Sequence, residues 1–395
     1  MRGALSGVRV LDLSRVLAGP FSTMILGDLG AEVIKVEAPG GSDDTRAWGP
    51  PFKAGESAYY LCTNRNKKAL TLNLKTEEGK AVLKQLVRQS DVLIHNFKHG
   101  TMEKWQLGYE DLKKLNPRLI YCSITGFGRA GPYKALAGYD YIIQAMSGLM
   151  SITGSEESGP LKVGVAITDV MTGLYAVIGI TAALYEREQS GEGQSLDLAL
   201  FDAAISALVN VASNYLISGQ LPKLLGNHHP NIVPYQTFPT KDGEMVLAVG
   251  NDRQFKKLCR LIDKEEWADD QRFATNDQRV EHRYELADLL SAVFKLKTSA
   301  EWQDLFNQHG IPCGPINNMA EVFNDPQVAA RQMVVPIEHP TAGEIRVVGS
   351  PLKLSRTPVQ FRYPPPLVGE HTEEVLRELG MDAKGIEALK EKGIL

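Results

Sequence analysis

Hydrophobic and polar positions alternate along the first half of the chain with two different periods. Short runs of aliphatic residues, the pattern of strands, are separated by stretches whose apolar residues recur every three or four positions, the pattern of helices. The predicted strands cover residues 8–13, 32–37, 69–73, 91–95 and 119–124, and the predicted helices between them include 20–30 and 76–89. Glu77 and Glu78 stand in the first turn of the second helix, where the helix dipole favours acids. The alternation indicates an α/β fold with a parallel sheet.

The middle of the chain has a different character. Residues 169–188 are apolar on nearly every side, so we expect a helix with both faces buried, and 201–216 is predicted as a second buried helix. Gly, Pro, Asn and His are frequent in 218–234, a composition typical of a linker. A strand predicted at 244–249 and charged helices over 252–309 indicate a second domain. The predicted organisation is a large domain over 1–217, a linker over 218–234, a small domain over 235–325, and a return to the large domain over 326–395.

Composition and charge narrow the class of protein. The 395 residues are 43% hydrophobic and 23% charged with a net charge of −4, which is typical of a soluble globular protein and provides no basic surface for nucleic acid or membrane. The longest apolar run, 170–185, is short for a membrane span. The four cysteines form no CxxC pair, and no signal peptide is visible. We therefore expect a cytoplasmic protein, or a mitochondrial-matrix protein if a targeting segment has been removed.

One motif suggests nucleotide binding. Residues 126–131 are Gly-Phe-Gly-Arg-Ala-Gly, a literal GxGxxG after a strand. A dinucleotide fingerprint follows the first strand of its sheet and opens a helix, whereas this motif follows the fifth predicted strand and precedes a proline and a loop. We therefore interpret it as a tight loop close to a ligand or to a second backbone segment. The sequence has no metal-binding, GxSxG or GxxxxGK[ST] motif, so we expect neither a metal nor a tightly bound cofactor.

Asp169 has a structural and a functional interpretation. It stands at the predicted start of the apolar helix, where aspartate is common as an N-cap. At the same position, the helix dipole would keep a partly desolvated carboxylate ionised, which would make it a nucleophile. The two interpretations are compatible.

Aromatic and basic residues in loop-like segments allow the same two interpretations. The aromatic residues either pack in the core or form a small apolar pocket with hydroxyl groups that orient a carboxylate; they are Trp48, Tyr59, Tyr60 and Tyr139. Three lysines either are ordinary surface residues or bind an anionic ligand near strand ends; they are Lys75, Lys98 and Lys104.

Many short segments occur in a recognisable order along the chain. They are 10–14, 17–20, 30–37, 96–97 with Gly100, 107–109, 123–128, 138–140, Asp169 with 172–176, and 366–372. In this order they resemble the class III CoA-transferases, the family of formyl-CoA transferase and carnitine CoA-transferase. A second set, 43–52, 64–68, 232–236 and 314–319, resembles members of that family that use dicarboxylic acids. The resemblance also explains the loop at 126–131 as an element of the family.

The resemblance implies a fold and a set of site residues. The family has a Rossmann-like parallel-sheet large domain built from both chain ends, a smaller inserted α+β domain, and an interlaced homodimer. Asp169 falls at the position of the family's catalytic aspartate. The positions implied for coenzyme A contacts are Leu17, Ala18, Lys75, Asn96, Phe97, Lys98, Lys104, Tyr139 and Asp140. The positions implied for substrate contacts are Trp48, Tyr59, Tyr139 and Gly250.

Two positions depart from the family pattern. Lys104 stands where arginine is common, which keeps the charge but loses the bidentate geometry toward phosphate. The segment that matches the glycine-rich flap of formyl-CoA transferase, 249–252, has one glycine, so the resemblance gives weak support for a mobile flap. Backbone N–H groups near Gly250 are the candidates for stabilising an oxyanion.

The implied reaction moves CoA from succinyl-CoA or another acyl-CoA to a carboxylic acid, through an anhydride and a thioester on Asp169. One alternative is the α-methylacyl-CoA racemase branch of the family, whose histidine is replaced here by Tyr139. An unperturbed tyrosine side chain has a pKa of roughly 10 and is a poor base near neutral pH. A non-catalytic CoA-binding protein is the alternative outside the enzymes. A dicarboxylic substrate would need a cation for its far carboxylate, and the candidates are Arg46, Arg65 and Lys67.

Overall fold

The computed structural model describes residues 2–395. Up to residue 218 the strands are β1 (Arg9–Asp12), β2 (Glu32–Glu37), β3 (Phe52–Lys53), β4 (Glu56–Ser57), β5 (Lys67–Thr71), β6 (Val92–His95), β7 (Ile120–Thr125), β8 (Gly154–Ser155), β9 (Gly159–Pro160) and β10 (Ser195–Ala199). The helices of the same part are α1 (Ala18–Asp28), α2 (Ala58–Leu61), α3 (Glu77–Arg88), α4 (Thr101–Lys104), α5 (Tyr109–Leu112), α6 (Asp140–Met146), α7 (Ile167–Ser190), α8 (Leu200–Ser206) and α9 (Val209–Ser218).

The remaining chain is richer in helices. Its strands are β11 (Tyr235–Pro239), β12 (Glu244–Ala248), β13 (Cys313–Pro315), β14 (Val334–His339) and β15 (Gly343–Val348). Its helices are α10 (Asp252–Leu261), α11 (Asn276–Glu281), α12 (Arg283–Phe294), α13 (Ser299–Gln308), α14 (Met319–Asn324), α15 (Pro326–Ala330), α16 (Thr372–Glu378) and α17 (Ala383–Glu391). Short 3₁₀ turns lie at Asp44–Ala47, Met150–Ile152 and Glu265–Ala268.

Six parallel strands form the central sheet in the order β10-β7-β6-β1-β2-β5. Counted along the chain this order is 6-5-4-1-2-3, that of a Rossmann-like doubly wound sheet. The five strands predicted in the first half of the chain are all present in this sheet, whereas β10, an edge strand with two exposed residues, was not predicted. The strand order reverses between β1 and β6, and sheets of this kind bind ligands outside the carboxyl ends of those two strands.

The two faces of this sheet carry separate cores. Because successive residues of a strand point to opposite faces, Val10 packs with α1 and α7, whereas Leu11 packs with α3, α16 and α17. The helix α3 begins at Thr76, whose hydroxyl accepts the Gly79 N–H at 3.1 Å. The predicted helix 76–89 therefore forms as Glu77–Arg88, with the two predicted glutamates in its first turn and a hydroxyl cap before them.

The helix α7 is longer and more exposed than the sequence predicts. It has 24 residues and is long and apolar enough to cross a membrane. Core helices of soluble proteins can have the same length and composition, so this property does not distinguish the two cases. One side packs against α1 and the sheet. On another side Ile178 and Tyr185 are 60% and 73% exposed. The expectation that both faces are buried is therefore wrong for the described chain, because an apolar pattern does not specify which atoms cover a helix.

The predicted helix 201–216 is interrupted. The helix α8 ends at Ser206, and α9 begins at Val209, which has a positive φ of 31°. No residue of α9 is buried, so the expectation of a buried helix is wrong over this part. The sequence pattern misses the break because neither glycine nor proline marks it.

The chain divides into two compact units that differ from the predicted boundaries. The first unit contains the residues up to 147, 164–207 and 326–395, and the second contains 148–163 and 208–325. The predicted small domain, 235–325, lies within the second unit, together with the predicted linker. Arg283 holds that linker, because its guanidinium donates to the carbonyls of His229 and Pro230 at 2.9 and 2.8 Å. A bridge between Ser155 and Leu225 holds 148–163 in the same unit.

The second unit has an α+β architecture. The antiparallel sheet β11-β12-β13 packs on an aromatic core to which α10, α12 and α13 contribute. The guanidinium of Arg279 is fully buried and donates to the carbonyls of Val233 and Phe273 and to Asp252, at 2.7, 2.8 and 2.7 Å. A fully paired charge of this kind is tolerated inside a core.

The C-terminal residues return to the first unit, which is thus built from both chain ends. They contribute the hairpin β14–β15 and the helices α16 and α17, while all six strands of the central sheet come from residues 9–199. The His371 N–H donates to the carbonyl of Ala69 at 2.9 Å, and the Thr372 hydroxyl accepts the N–H of Thr71 at 3.1 Å. The Lys68 ammonium lies 2.7 Å from Glu374. The start of α16 is thereby fixed along β5.

Candidate active site

A cavity of about 210 Å³ opens at the carboxyl ends of β1 and β6, where the strand order reverses. Every residue that lines it belongs to the first unit. The lining consists of Arg15, Val16, Ala18, Asp44, Asn96, Phe97, Lys98, His99, Ile124, Thr125, Gly126, residues 134–139, Asp169 and Leu200. Six residues that the sequence singled out meet here, namely Ala18, Asn96, Phe97, Lys98, Tyr139 and Asp169.

Asp169 is the unpaired carboxylate of this cavity. It is the third residue of α7, whose N-cap is Ala166, so its interpretation as an N-cap is wrong. Within the described residues 2–395, no group donates a hydrogen bond to its carboxylate. Burial, and then the negative charge of Asp140, raise the pKa of Asp169 to about 7. The group is therefore a carboxylate that the protein does little to stabilise as an anion.

Asp140 caps α7 from a distant part of the chain. One carboxylate oxygen accepts the Thr168 N–H and hydroxyl at 2.8 and 2.6 Å, and the other accepts the Gln144 amide at 2.6 Å. The Asp169 N–H lies 3.4 Å from the first oxygen. The Asp140 side chain thus fixes the helix that carries Asp169, and it does not line the cavity. Its predicted contact with coenzyme A remains a prediction.

Tyr139 reaches the cavity through the GxGxxG segment. A Cβ added to Gly126 would lie 2.5 Å from the Cα of Gly138, so the two backbones touch and both positions require glycine. This contact brings the turn before α6 to the end of β7. No helix starts in 126–131, and the interpretation of the motif as a tight loop against a second backbone segment is confirmed. Tyr139, the N-cap of α6, is 66% exposed.

Trp48 and Tyr59 pack against each other beside the cavity without lining it. Their rings meet edge to face, with centroids 5.3 Å apart. Burial, and then the charge of Asp169, raise the pKa of Tyr59 to about 12, so Tyr59 lies within electrostatic reach of Asp169 and remains a hydroxyl donor. Tyr60 has the structural role, since it is fully buried and its hydroxyl accepts from Arg46 at 2.6 Å.

The other predicted contacts lie outside the cavity lining. Leu17 is the N-cap of α1, directly before Ala18. Lys75 follows β5 and Lys104 ends α4, and both are exposed. Gly250 belongs to the second unit, where its N–H donates to the Gln254 side chain at 2.8 Å. For these four residues, contact with coenzyme A or substrate remains a prediction.

The three cations named as candidates for a far carboxylate form ion pairs within the protein, and their contact with a substrate remains a prediction. Each forms an ion pair inside the first unit: Arg46 with Glu37 at 2.6 Å, Arg65 with Asp28 at 2.6 Å, and Lys67 with Asp12 at 3.0 Å. None of them lines the cavity. The partners lie 9 to 55 residues away along the chain, and pairing over such separations leaves no local pattern in the sequence.

Sequence reasoning missed two cations that do line the cavity, Arg15 and Lys134. Arg15 could have been found, because it comes shortly after β1, at the reversal of strand order. Its side chain is 3.2 Å from Asp44. Together with Lys98, the cations Arg15 and Lys134 suit the binding of an anionic ligand. Within the part of the chain that the structure describes, no group of three or more His, Cys, Asp or Glu residues is placed to hold a metal.

Comparison with known proteins agrees with this geometry. The model of CoA-transferase family III matches residues 5–372. Succinate–glutarate CoA-transferase of Agrobacterium fabrum is 50% identical over 381 residues, which cover 95% of each chain. Succinyl-CoA:glutarate CoA-transferase of Mus musculus is 47% identical over 392 residues, 99% of this chain and 90% of that one. The crystal structure of a CAIB/BAIF family protein from Brucella suis has a TM-score of 0.84 at 46% identity and covers 96% of this chain and 100% of that one. The chain belongs to CoA-transferase family III and is a CoA-transferase.

Proposed function

We propose that this enzyme transfers CoA from succinyl-CoA to a dicarboxylic acid such as glutarate, with Asp169 as the nucleophile. The observation that carries the proposal is the Asp169 carboxylate, which lies in the cavity without a hydrogen-bond donor among the described residues. Such an anion keeps its electron pairs available for attack on a carbonyl carbon. The substrate class is supported by the names of the two relatives, which specify succinate or succinyl-CoA and glutarate.

The reaction proceeds in four balanced transfers. The Asp169 carboxylate attacks the thioester carbonyl, the C–S bond breaks, and CoA thiolate leaves a mixed anhydride. The thiolate attacks the aspartyl carbonyl, which releases succinate and gives an aspartyl-CoA thioester. The acceptor carboxylate attacks that thioester and forms a second anhydride with release of thiolate. Attack of the thiolate on the acceptor carbonyl gives the new acyl-CoA and regenerates Asp169.

No proton has to move in this sequence, because every nucleophile is already an anion. The demands on the protein are to bind anions, to position the carbonyl groups and to exclude water from the anhydrides. The cations Arg15, Lys98 and Lys134 around the cavity suit the first demand. The half-buried setting of Asp169 suits the last. Tyr59, held as a neutral phenol, is available to donate to an oxyanion near Asp169.

We also propose that the enzyme is a homodimer, with the interlaced arrangement that its family resemblance implies. The helices α6, α7 and α8 of the first unit pack together and leave a set of large apolar residues exposed. This set comprises Tyr141, Ile142, Met146, Leu174, Tyr175, Ile178, Tyr185 and Ile205. An exposed surface of this kind is covered by a partner in stable proteins. Light scattering should give twice the chain mass of 43.4 kDa, and a monomer at micromolar concentration would contradict the proposal.

The decisive experiment is acyl exchange in deuterated water. Succinyl-CoA is mixed with a pool of mono- and dicarboxylic acids, and the acyl-CoA products are identified by mass spectrometry. We expect glutaryl-CoA or a close homologue. Deuterium incorporation at the α-carbon of an added 2-methylacyl-CoA without exchange would support the racemase alternative. Binding of CoA without either reaction would support a non-catalytic protein.

An isotope label tests the covalent route itself. The four steps carry one oxygen of the acceptor carboxylate onto Asp169, and the next turnover passes it to the released succinate. With ¹⁸O-labelled glutarate, succinate should therefore carry ¹⁸O after more than one turnover and remain unlabelled in the first. Succinate that never carries the label from glutarate would exclude the aspartyl anhydride.

A further inference from the structure

Val16 has a backbone conformation that its side chain disfavours. Its φ is 71°, in the left-handed region, where a β-branched residue is an outlier. The residue lines the cavity that contains Asp169. It is also the turning point between β1, which ends at Asp12, and α1, which starts at Ala18. Strain at such a position persists only where the surrounding structure fixes it.

The side chain of Asp43 fixes this turn from one side. One carboxylate oxygen accepts the Val16 N–H at 3.1 Å, and the other lies 2.8 Å from the Lys35 ammonium. Both side chains of the ion pair are fully buried. The same ammonium donates to the carbonyl of Ser14 at 3.0 Å, two residues before the turn. The ion pair therefore binds the loop at both ends of the strained segment.

The anion at residue 43 is itself firmly placed. Its N–H donates to Glu37 at 3.1 Å, and its carboxylate accepts the Thr45 hydroxyl at 2.7 Å. Burial alone would raise the pKa of Asp43, but the Lys35 ammonium lowers it below its usual value. Asp43 is also the N-cap of the 3₁₀ turn Asp44–Ala47, which leads directly to Trp48. The Asp43 carboxylate thus contacts both the loop that contains Val16 and the turn that leads to Trp48, a predicted substrate contact.

The other side of the loop is fixed by Asn96, at the end of β6. Its amide oxygen accepts the Arg15 N–H at 3.0 Å, and its amide nitrogen donates to the Arg15 carbonyl at 2.7 Å. The Asn96 side chain is thereby committed to the loop. Two adjacent residues of the loop are therefore held by protein side chains: Arg15 by Asn96, which follows β6, and Val16 by Asp43, which pairs with Lys35 of β2.

We propose that Asp43 is a positioning residue for CoA transfer: through the Val16 N–H it holds the loop 15–18 in the conformation that shapes the thioester pocket beside Asp169. Asp43 does not line the cavity, so it acts through the segments that it holds, and its contact with the Val16 N–H is the one that reaches the loop 15–18. The inference rests on the proposed function only for its kinetic readout, since binding of coenzyme A reports on the same pocket without turnover.

The first test compares Val16→Gly with Val16→Pro. Both changes remove the valine side chain, but glycine adopts a positive φ freely, whereas proline fixes φ near −65° and has no N–H for Asp43. We expect Val16→Pro to raise KM for succinyl-CoA and to lower kcat/KM about 100-fold, and Val16→Gly to lower it only a few-fold. Equal losses in both variants would overturn the proposal, because the side chain rather than the conformation would then matter.

The matched control is Gln332, which also has a positive φ, of 50°, and donates its N–H to Ala329 at 3.0 Å. It lies outside the cavity lining. Gln332→Pro should lower the melting temperature and leave KM for succinyl-CoA unchanged. If Gln332→Pro raised KM as much as Val16→Pro does, the effect would be a general loss of structure and the proposal would fail.

The second test uses Asp43→Asn alone and combined with Val16→Gly. Loss of the charge weakens the hold on Val16, and we expect KM for succinyl-CoA to rise about tenfold. Because glycine needs less holding, Val16→Gly should recover part of that loss in the double variant. An Asp43→Asn enzyme with normal KM, or losses that simply add, would overturn the proposal.

Calorimetric titration with free coenzyme A separates the two hypotheses. If the wild-type protein binds coenzyme A but exchanges no acyl group, the proposed function fails while the binding constants of the Val16 and Asp43 variants still test this inference. If the wild type exchanges acyl groups and all variants bind like the wild type, the inference fails alone.

Discussion

Asp12 and Asp169 are two carboxylates of the same unit with opposite electrostatics. Asp12 is fully buried, which by itself raises its pKa, yet the ammonium groups of Lys67 and Lys35 and two hydroxyl donors lower the pKa to about 2. Asp169 is half-buried, has no such partner among the described residues, and has a pKa raised to about 7 by its partial burial and by the charge of Asp140. Complete pairing makes the Asp12 carboxylate inert. The lack of any pairing within residues 2–395 leaves the Asp169 carboxylate reactive.

The comparison shows that charged groups that stabilise the fold and the charged group proposed to react have different surroundings. Below the cavity, ions come in pairs: Asp12 with Lys67, Asp43 with Lys35, and Arg65 with Asp28. A paired, hydrogen-bonded ion is tolerated in a core, but its lone pairs are occupied. A nucleophile must keep its lone pairs free, so it lies at the cavity surface without hydrogen-bond donors. Its pKa is raised because no described group stabilises the anion.

Removing the reactive carboxylate should have the largest effect. Asp169→Asn keeps the shape of the side chain but has no anion to attack a thioester, so we expect exchange between succinyl-CoA and glutarate to fall at least about 1,000-fold. Asp202→Asn, an acid in the first turn of α8 that is exposed and outside the cavity lining, is the matched control and should keep its activity. Exchange by Asp169→Asn within tenfold of the wild type would remove Asp169 from the mechanism.

Breaking the structural ion pair should reduce stability rather than chemistry. Asp12→Leu leaves the Lys67 ammonium buried without its anion, and we expect a loss of about 3–5 kcal/mol in the free energy of unfolding. The double variant Asp12→Leu with Lys67→Met should recover most of it. Because the folded-state pKa of Asp12 is depressed, the loss should be full above pH 4 and shrink as the pH falls toward 2. Burial lowers the pKa of Lys67 to about 8, so the loss should also shrink above that pH, where Lys67 is neutral. Urea titrations of the wild type, the single variant and the double variant measure these free energies of unfolding.

The pH dependence of turnover should follow the reactive carboxylate. Its raised pKa means that Asp169 is protonated, and cannot attack, below about 7. We expect kcat/KM for succinyl-CoA to fall about tenfold for each pH unit below that value and to level off above it. Initial rates from pH 5 to 9 test this prediction. A flat profile of kcat/KM down to pH 5 would contradict the raised pKa, because it would show that Asp169 of the free enzyme stays ionised down to that pH.

Removing the charge of Asp140 should shift that profile modestly. Asp140→Asn retains an oxygen for the Thr168 N–H and hydroxyl but loses the negative charge that helps to raise the pKa of Asp169. We expect the midpoint of kcat/KM to move about one pH unit lower. Asp202→Asn should leave the midpoint in place. A shift to higher pH would mean that Asp140 acts mainly by holding α7.

The central sheet was predictable because its signals are local. The strand predicted at 32–37 forms as Glu32–Glu37, and the glutamates and the Thr76 cap place α3 within a residue. What the sequence could not provide are contacts between distant positions. The break before Val209 and the exposed side of α7 depend on atoms that no local pattern specifies.

The candidate site shows the same division. Asp169 and Tyr139, which the resemblance to a family singled out, line one cavity, whereas the three candidate cations form ion pairs outside its lining. A lysine or arginine in a sequence does not reveal whether it is already paired, and Lys67 pairs with Asp12 across 55 residues. Asp140 likewise contacts Thr168 across 28 residues. Roles that arise from long-range pairing need coordinates.

The attachment of His371 and Thr372 along β5 has a consequence for solubility. β5 is the outermost strand of the sheet, and an outermost strand presents unpaired N–H and carbonyl groups that recruit strands of other molecules. Here the groups of Ala69 and Thr71 are taken by the residues that open α16. A protein cleaved before residue 371 would uncover this edge, and aggregation would be a more sensitive sign of the cut than any change in the cavity.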